Sequence, residues 1–146
     1  MTSRSVFQNT TKRFRAVVVA VVEVVRALFR NSVGAGEAVF LPVEEMAEAL
    51  TSDYYEDLFI GVAVDVDDQT VVLYRATGAL LLVPVSWFKG GPKSPKPDLS
   101  RPAVIDGGQT ICLGDFEAAA DAILYEFDAN YRKRARKNRI EKGKKG

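Results

Sequence analysis

The chain has 146 residues, of which 47% are hydrophobic and 27% charged, values typical of one globular domain large enough to bury a core. Cys112 is the only cysteine and histidine is absent, which excludes an intrachain disulfide, a Ser-His-Asp triad, a Cys-His pair and a histidine metal ligand. The formal net charge of +1 hides an asymmetry: residues 131–146 hold nine basic groups and one acidic group, or +8, which leaves −7 for the other 130 residues.

The first predicted element is a valine-rich helix over Lys12–Arg30. This stretch contains no Gly or Pro, follows two candidate N-caps at Thr10 and Thr11, and is too long for a typical strand. Because almost all of its faces are apolar, we expect the helix to be largely buried, either across a sheet or in a dimer interface.

The same stretch raises the question of a membrane or signal segment. Its longest uncharged part, Ala16–Val22, has seven residues before Glu23, whereas a spanning helix needs about 20. Glu23 also interrupts the apolar run that a signal peptide requires. We therefore predict a cytoplasmic protein with no membrane partner.

The middle of the chain predicts a short helix followed by strands. Val43–Leu50 has a helical pattern after Pro42, and the pattern becomes that of strands from Leu58 onward. Gly90–Pro102 holds four prolines and two glycines, which is typical of an irregular surface loop. The predicted strands are Leu58–Val66, Thr70–Arg75, Leu80–Val85 continuing into Ser86–Phe88, and a closing hairpin of Ala103–Ile105 and Gln109–Leu113.

A second long helix is predicted near the C-terminus. Asp115 is its candidate N-cap, and apolar residues follow it at spacings of three and four. Past Tyr131 the helix is predicted to continue for about two turns without an apolar face, so this part should project into solvent or onto a partner. The apolar stripe consists of Phe116, Ala120, Ile123, Leu124, Phe127 and Tyr131.

The basic segment that follows is the strongest candidate binding site. Its cations attract phosphates regardless of sequence, because each neutralised phosphate releases counterions. The segment fits a solubilising tail, a nucleic-acid contact, or docking onto an acidic protein surface. Arg132, Arg136 and Arg139 share one helical face, with Lys133 and Lys137 beside it. The candidate residues are Arg132, Lys133, Arg134, Arg136, Lys137, Arg139, Lys142, Lys144 and Lys145.

Two acidic groups are candidate cation sites. Asp65, Asp67 and Asp68 are spaced like the opening of a calcium loop, but Thr70 stands where that loop requires glycine. We interpret them as a hairpin turn. Asp53, Glu56 and Asp57 fit a cation site, a contact for a basic partner or a solvated surface cluster, and we favour the solvated cluster. The sequence therefore predicts no catalytic residues, no metal site and no cofactor, with carboxylate-dependent hydrolysis at either group as a minor alternative.

Trp87 and Phe88 are candidate contacts for a protein partner. They end a predicted strand and precede the proline-rich loop, where an aromatic side chain can serve as a recognition anchor. For Trp87 we favour the alternative that it closes one end of the core. Cys112 lies in a short apolar run and is interpreted as a small buried hydrophobe.

Two motifs carry a family resemblance. Val83–Phe88 reads VPVSWF, and Asp106–Gly108 reads DGG before the last predicted strand and helix. The segment from Leu58 to about Phe127 thereby resembles the bacterial domain-of-unknown-function family 2442. The resemblance implies a compact antiparallel sheet with a packed helix, no known catalytic residues, and the role of a small accessory or antitoxin-like protein, in some members joined to DNA-binding helices.

Together these patterns predict an α+β protein with a mainly antiparallel sheet of four or five strands, on which the valine-rich helix and the long C-terminal helix pack. Residues 1–130 are predicted to form one domain, helical over 1–57 and sheet plus helix over 58–130, followed by a basic extension over 131–146. The predicted function is a non-enzymatic accessory protein that binds nucleic acid or a nucleoprotein complex through the C-terminal helix. The alternative is an antitoxin-like protein-interaction module of a bacterial operon, with a partner or a second copy bound at the N-terminal helix.

Overall fold

The computed structural model describes residues 37–144, so the predicted helix over Lys12–Arg30 and the candidate Lys145 lie outside the described residues. Within this range the chain forms helices and two antiparallel sheets, which confirms the predicted α+β fold. The elements in chain order are β1 (Val39–Phe40), α1 (Val43–Thr51), β2 (Phe59–Asp65), β3 (Thr70–Arg75), β4 (Leu80–Pro84), β5 (Pro102–Ile105), β6 (Thr110–Leu113), β7 (Phe116–Ala119), α2 (Ala120–Phe127) and α3 (Ala129–Lys144).

The first sheet has the order β1-β2-β3-β4, in which β2, β3 and β4 form the predicted meander and β1 is a strand that was not predicted. Val and Ile dominate β2 and β3, and these β-branched residues favour a pleated, packed surface. Asp65 organises the turn between them, since its carboxylate accepts a hydrogen bond from the Asp68 amide at 3.0 Å. The three aspartates there form a hairpin turn, as predicted.

The second sheet has the order β5-β6-β7, so the strands divide into sheets of four and three rather than one sheet of four or five. The predicted hairpin around Asp106–Gly108 is confirmed, with Val104 opposite Ile111. β5 packs against β1 and β2, which brings the two sheets together around one core. The sequence signal for β6 was clear, whereas β7 was predicted as the first turn of a helix.

The predicted helix start at Asp115 is wrong. Gly114 and Asp115 form the tight turn of a hairpin, with Gly114 at φ 64°, and Leu113 pairs with Phe116 across it. The next four residues therefore form a strand, and α2 begins at Ala120. The strand places Phe116 and Ala118 on the buried side. Helical spacing also places Phe116 on an apolar stripe, so the burial of Phe116 alone does not distinguish a strand from a helix.

The C-terminal helix is also divided, since Asp128 separates α2 from α3. Its backbone is extended, with φ −120° and ψ 104°, and its amide donates to the Leu124 carbonyl to close α2. The apolar stripe of α2 nevertheless lies where the periodicity placed it, because Ile123 and Leu124 are fully buried. The prediction of one long helix from Asp115 is thus replaced by a strand and two helices.

The main core lies between the inner faces of the two sheets and is closed by α1 and α2. Every second residue of β2 and β3 points into it, beginning with Val62 opposite Leu73. Cys112 is buried, and burial raises the pKa of its thiol, which agrees with its interpretation as a small hydrophobe. Among the described residues, no helix is long and apolar enough to cross a bilayer.

Candidate nucleic-acid interface

Asp128 fixes the start of the basic helix α3. One carboxylate oxygen accepts hydrogen bonds from the amides of Asn130 at 2.9 Å and Tyr131 at 3.1 Å, which is the pattern of an N-cap. The other oxygen accepts from Arg75 Nη1 at 2.9 Å, and both side chains are largely buried. Burial opposes ionisation of Asp128, but these hydrogen bonds and the Arg75 charge outweigh it and lower its pKa.

Arg75 extends this anchor to the acidic cluster of the body. Its Nη2 donates to the Glu56 carbonyl at 2.7 Å, so a single guanidinium at the end of β3 joins a short 3-10 helix, Tyr55–Asp57, to α3. The base of α3 therefore has a defined direction relative to the first sheet. Nothing in the sequence around Arg75 indicated this role, because its partner Asp128 lies 53 residues later.

Arg132 serves the fold rather than an external partner. Its Nε donates to the Tyr125 carbonyl and its Nη2 to the Glu126 carbonyl, each at 2.7 Å. These carbonyls belong to the last turn of α2, where backbone acceptors lack helical partners. The guanidinium also lies 5.8 Å from the centre of the Tyr125 ring. Arg132 thus caps α2 and holds α3 against it.

Arg134 binds the acidic cluster of its own chain. Its guanidinium lies 3.1 Å from Asp57 and 3.9 Å from Glu56, and it covers the ring of Tyr131. The Asp57 carboxylate raises the pKa of Arg134. Part of the opposite charge seen in the sequence is therefore neutralised within the molecule. The cluster that was predicted to be solvated binds the basic helix in its own chain.

Arg136 also contacts α2, through a longer hydrogen bond than those of Arg132. Its Nε donates a hydrogen bond to the Tyr125 hydroxyl at 3.5 Å, and this hydrogen bond, followed by the positive charges of Arg136, Arg139 and Arg132, lowers the pKa of that phenol. The helical face predicted from Arg132, Arg136 and Arg139 is therefore turned in part toward α2. Tyr125 was not among the predicted site residues, since it lies outside the basic run.

The remaining basic side chains of α3 are exposed. The structure records no ion pair between them and any described acid. Ile140 lies among them with 61% of its surface exposed, so this part of the helix has no apolar side against the body. A rise of about 1.5 Å per residue spreads the set over roughly 14 Å. The set comprises Lys133, Lys137, Arg139 and Lys142, together with the exposed Arg136. Lys144 ends the helix.

Trp87 closes one end of the core, as favoured from the sequence. Its ring packs edge-on against Phe88 at 5.2 Å and against Phe127 of α2 at 5.6 Å between ring centres. Phe88 is only 2% exposed and lies in the core, whereas Trp87 is half-buried. The outer side of Trp87 borders an open groove of about 720 Å³ that Lys89 and Phe116 also line.

The described residues hold no group of three or more His, Cys, Asp or Glu side chains placed to bind a metal ion. Asp65 is engaged in its hairpin turn, and Asp57 and Glu56 are engaged with Arg134.

Comparison with known proteins gives no relative: the chain matches no family model, no curated protein and no solved structure. The resemblance of Leu58 to about Phe127 to domain-of-unknown-function family 2442 stays a prediction.

Proposed function

We propose that this chain is a non-enzymatic accessory protein that binds nucleic acid, alone or in a nucleoprotein complex, through the exposed cations of α3. The observation that carries the proposal is the set of five exposed cations, Lys133, Arg136, Lys137, Arg139 and Lys142, on a helix whose base is held to the body. A helix fixed at its base holds these charges around its exposed turns, without the conformational cost of ordering a loose tail.

The size and chemistry of α3 suit a duplex. An α-helix fits the major groove of B-form DNA, and lysine and arginine contact phosphates on either side of it. The rest of the protein carries net negative charge and would repel phosphates, so contact should be confined to α3. Contacts to phosphates position the protein on the backbone and carry no sequence information. The salt-dependent part of the affinity should therefore be independent of the base sequence.

The test is the salt dependence of binding to duplex DNA and duplex RNA. Five phosphate contacts give a slope of log K against log salt of roughly −4 to −5. Replacing Lys133, Lys137 and Lys142 by glutamine should reduce the magnitude of that slope by about 2.5 to 3. These side chains are exposed and make no recorded ion pair, so circular dichroism should show an unchanged fold.

The matched control changes the same number of charges elsewhere. Lys89 directly precedes the proline-rich segment, and Lys93 and Lys96 lie within it. All three are exposed, and their replacement by glutamine lowers the net charge equally. We expect the control to keep the slope of the wild-type protein and to lose only a little affinity. Equal slopes for the two triple variants, or no binding by the wild-type protein at low salt, would exclude α3 as a nucleic-acid contact.

A second candidate function is the protein-interaction module, and β4 favours it. β4 lies at the edge of the first sheet as described, and two of its leucines are exposed, Leu80 at 46% and Leu82 at 60%. An exposed apolar edge strand is a template for strand addition by a partner. The acidic body suits a small basic protein, such as a toxin, as that partner.

Substitution of Leu82 by lysine tests this candidate. A charge on an edge strand opposes strand addition, so the variant should lose a co-purifying partner that the wild-type protein retains. Thr77→Lys, in the preceding turn, adds the same charge at an exposed position outside the strand and serves as the control. Retention of the partner by the Leu82→Lys variant would exclude β4 as its binding site.

A further inference from the structure

Tyr125 of α2 lies beside three arginines of α3. Arg132, Arg136 and Arg139 are four and three residues apart, which places them on one face of the helix. Arg136 Nε donates to the Tyr125 hydroxyl at 3.5 Å, and the Arg132 guanidinium lies 5.8 Å from the centre of its ring. The side chain of Tyr125 therefore borders the arginine face of α3.

The hydroxyl of Tyr125 has a hydrogen-bond donor to offer. A phenol both accepts and donates, and the bond from Arg136 occupies only an acceptor site. Within residues 37–144, the structure records no acceptor for the Tyr125 O–H. Guanidinium groups donate and never accept, so they cannot serve as that acceptor. The O–H and the neighbouring arginine N–H groups form a set of donors, whose complement is an anion with several acceptor oxygens.

The electrostatic field at this hydroxyl favours negative charge. The hydrogen bond from Arg136, followed by the positive charges of Arg136, Arg139 and Arg132, lowers the pKa of Tyr125. Arg132 is bonded to the α2 carbonyls at 2.7 Å, so its charge is fixed in place. Arg136 and Arg139 are exposed and accessible to a ligand. An anionic oxygen bound next to the phenol would be stabilised by the same charges.

On the basis of the function proposed above, we propose that Tyr125, Arg136 and Arg139 together bind one phosphate of the nucleic-acid backbone, with the Tyr125 O–H donating to a phosphate oxygen. This contact adds one neutral residue of α2 to an interface otherwise made by α3. Tyrosine hydroxyls and arginine side chains are both common phosphate contacts. The exposed Lys137 and Lys142 continue the positive charge along α3, which suits a polyanion better than an isolated ion.

The test compares the wild-type protein with Tyr125→Phe in binding to duplex DNA over a range of salt concentrations. Phenylalanine keeps the ring on which Arg132 packs, so circular dichroism should show the native fold. Loss of one hydrogen bond to a charged group should weaken binding about tenfold. The slope of log K against log salt should stay unchanged, because no cation is removed. Arg136→Gln should instead reduce the magnitude of that slope by about 0.9.

Tyr54→Phe is the matched control, since Tyr54 is 58% exposed and lies outside α2 and α3. It should change neither the affinity nor the slope. Wild-type affinity in Tyr125→Phe, with a steep salt slope in both proteins, would overturn the Tyr125 contact and leave nucleic-acid binding by α3 intact. Absence of salt-dependent binding by the wild-type protein would overturn both proposals.

A double variant distinguishes direct contact from positioning of Arg136. If the Tyr125 O–H binds the phosphate itself, adding Tyr125→Phe to Arg136→Gln should still weaken binding several-fold. Equal affinities of Arg136→Gln and the double variant would show that Tyr125 acts only through Arg136, and would refute the direct contact.

Calorimetry with inorganic phosphate tests the source of the bound phosphate. A single ion lacks the neighbouring charges that α3 would contact on a duplex, so we expect no saturable binding at millimolar concentration. Saturation of the wild-type protein in that range, abolished by Tyr125→Phe, would assign the site to a free phosphate ion and overturn its assignment to nucleic acid.

Discussion

Among the described glycines, Gly108 combines a left-handed backbone conformation with a close approach of main chain from another strand. It has φ 99°, and a Cβ at this position would lie 2.5 Å from the carbonyl oxygen of Phe59, the first residue of β2. Gly108→Ala therefore combines left-handed backbone strain with a clash against main chain that belongs to a strand. We expect the free energy of unfolding to fall by about 2–4 kcal/mol, measured by urea denaturation.

Gly91→Ala is the control for that substitution. Nothing lies within 4 Å of a Cβ built on Gly91, and its φ is outside the left-handed range. Its free energy of unfolding should stay within about 0.5 kcal/mol of wild type. Similar effects from both alanines would show that the close approach of Gly108 to Phe59 is absent in solution.

The hydroxyl of Tyr131 should lose its proton at a higher pH than that of an ordinary tyrosine. Burial and the neighbouring Asp121 carboxylate raise its pKa to about 12, whereas an unfolded tyrosine titrates near 10. Since the folded pKa is the higher one, the stabilisation by Tyr131 is complete below about pH 10 and is lost as the pH rises toward about 12. Burial also raises the pKa of Tyr74, so Tyr131→Phe should reduce the amplitude of the late transition in the ultraviolet titration by that of one tyrosine, and Tyr54→Phe should leave it unchanged. An unchanged amplitude in Tyr131→Phe would refute the assignment.

At the scale of elements, Asp128 is the single residue that connects α2 to α3. Asp128→Asn keeps an acceptor for the cap but loses the charge that binds Arg75, and we expect a loss of about 1–3 kcal/mol in the free energy of unfolding. Asp128→Ala also removes the cap and should cost about 1 kcal/mol more. Equal losses in both variants would show that the cap contributes nothing.

The pH dependence of stability tests the contribution of the Asp128 charge. The pKa of Asp128 is lowered in the folded protein, so its stabilisation is present above the ordinary carboxylate pKa of about 3.9 and is lost as the pH falls through the lowered value. Thermal unfolding of wild type should therefore lose stability in that acid range. Asp128→Asn should show a smaller loss over the same range, because asparagine does not titrate.

The elements that could be predicted are those whose signal is local. β3 was predicted with both ends correct, because Thr70–Arg75 is rich in β-branched residues and lies between two polar turns. β7 was missed because a four-residue strand beginning at Phe116 fits helical spacing as well as alternation. The break at Asp128 depends on Arg75, which is distant in sequence, so no local pattern could reveal it.

In the candidate site, too, local features could be predicted from the sequence and contacts between distant residues could not. The sequence alone identified the basic residues of α3, since charge is read directly from composition. It could not separate Arg132 and Arg134, which bind the α2 carbonyls and the Asp57 carboxylate, from the exposed Lys133. That distinction depends on how α3 lies against the body, and tertiary contacts alone decide it.

At the scale of the whole molecule, the ion pairs that the described residues form between acids of the body and bases of α3 lie at one place, where Glu56 and Asp57 bind Arg134. If α3 binds phosphates, these two acids compete for Arg134. Replacing them by glutamine and asparagine should release its guanidinium and add one phosphate contact. We expect higher affinity for duplex DNA and an increase of about 0.9 in the magnitude of the salt slope.

The control for that prediction is the pair Asp67→Asn and Asp68→Asn, which changes the net charge equally. These residues lie in the turn before β3, whereas Arg75, which anchors α3, ends that strand about 17 Å away. Their neutralisation should raise affinity only through the weaker long-range field, and screening at physiological salt reduces that effect. A salt slope increased equally by both pairs would mean that the net charge of the body, and not the release of Arg134, governs binding.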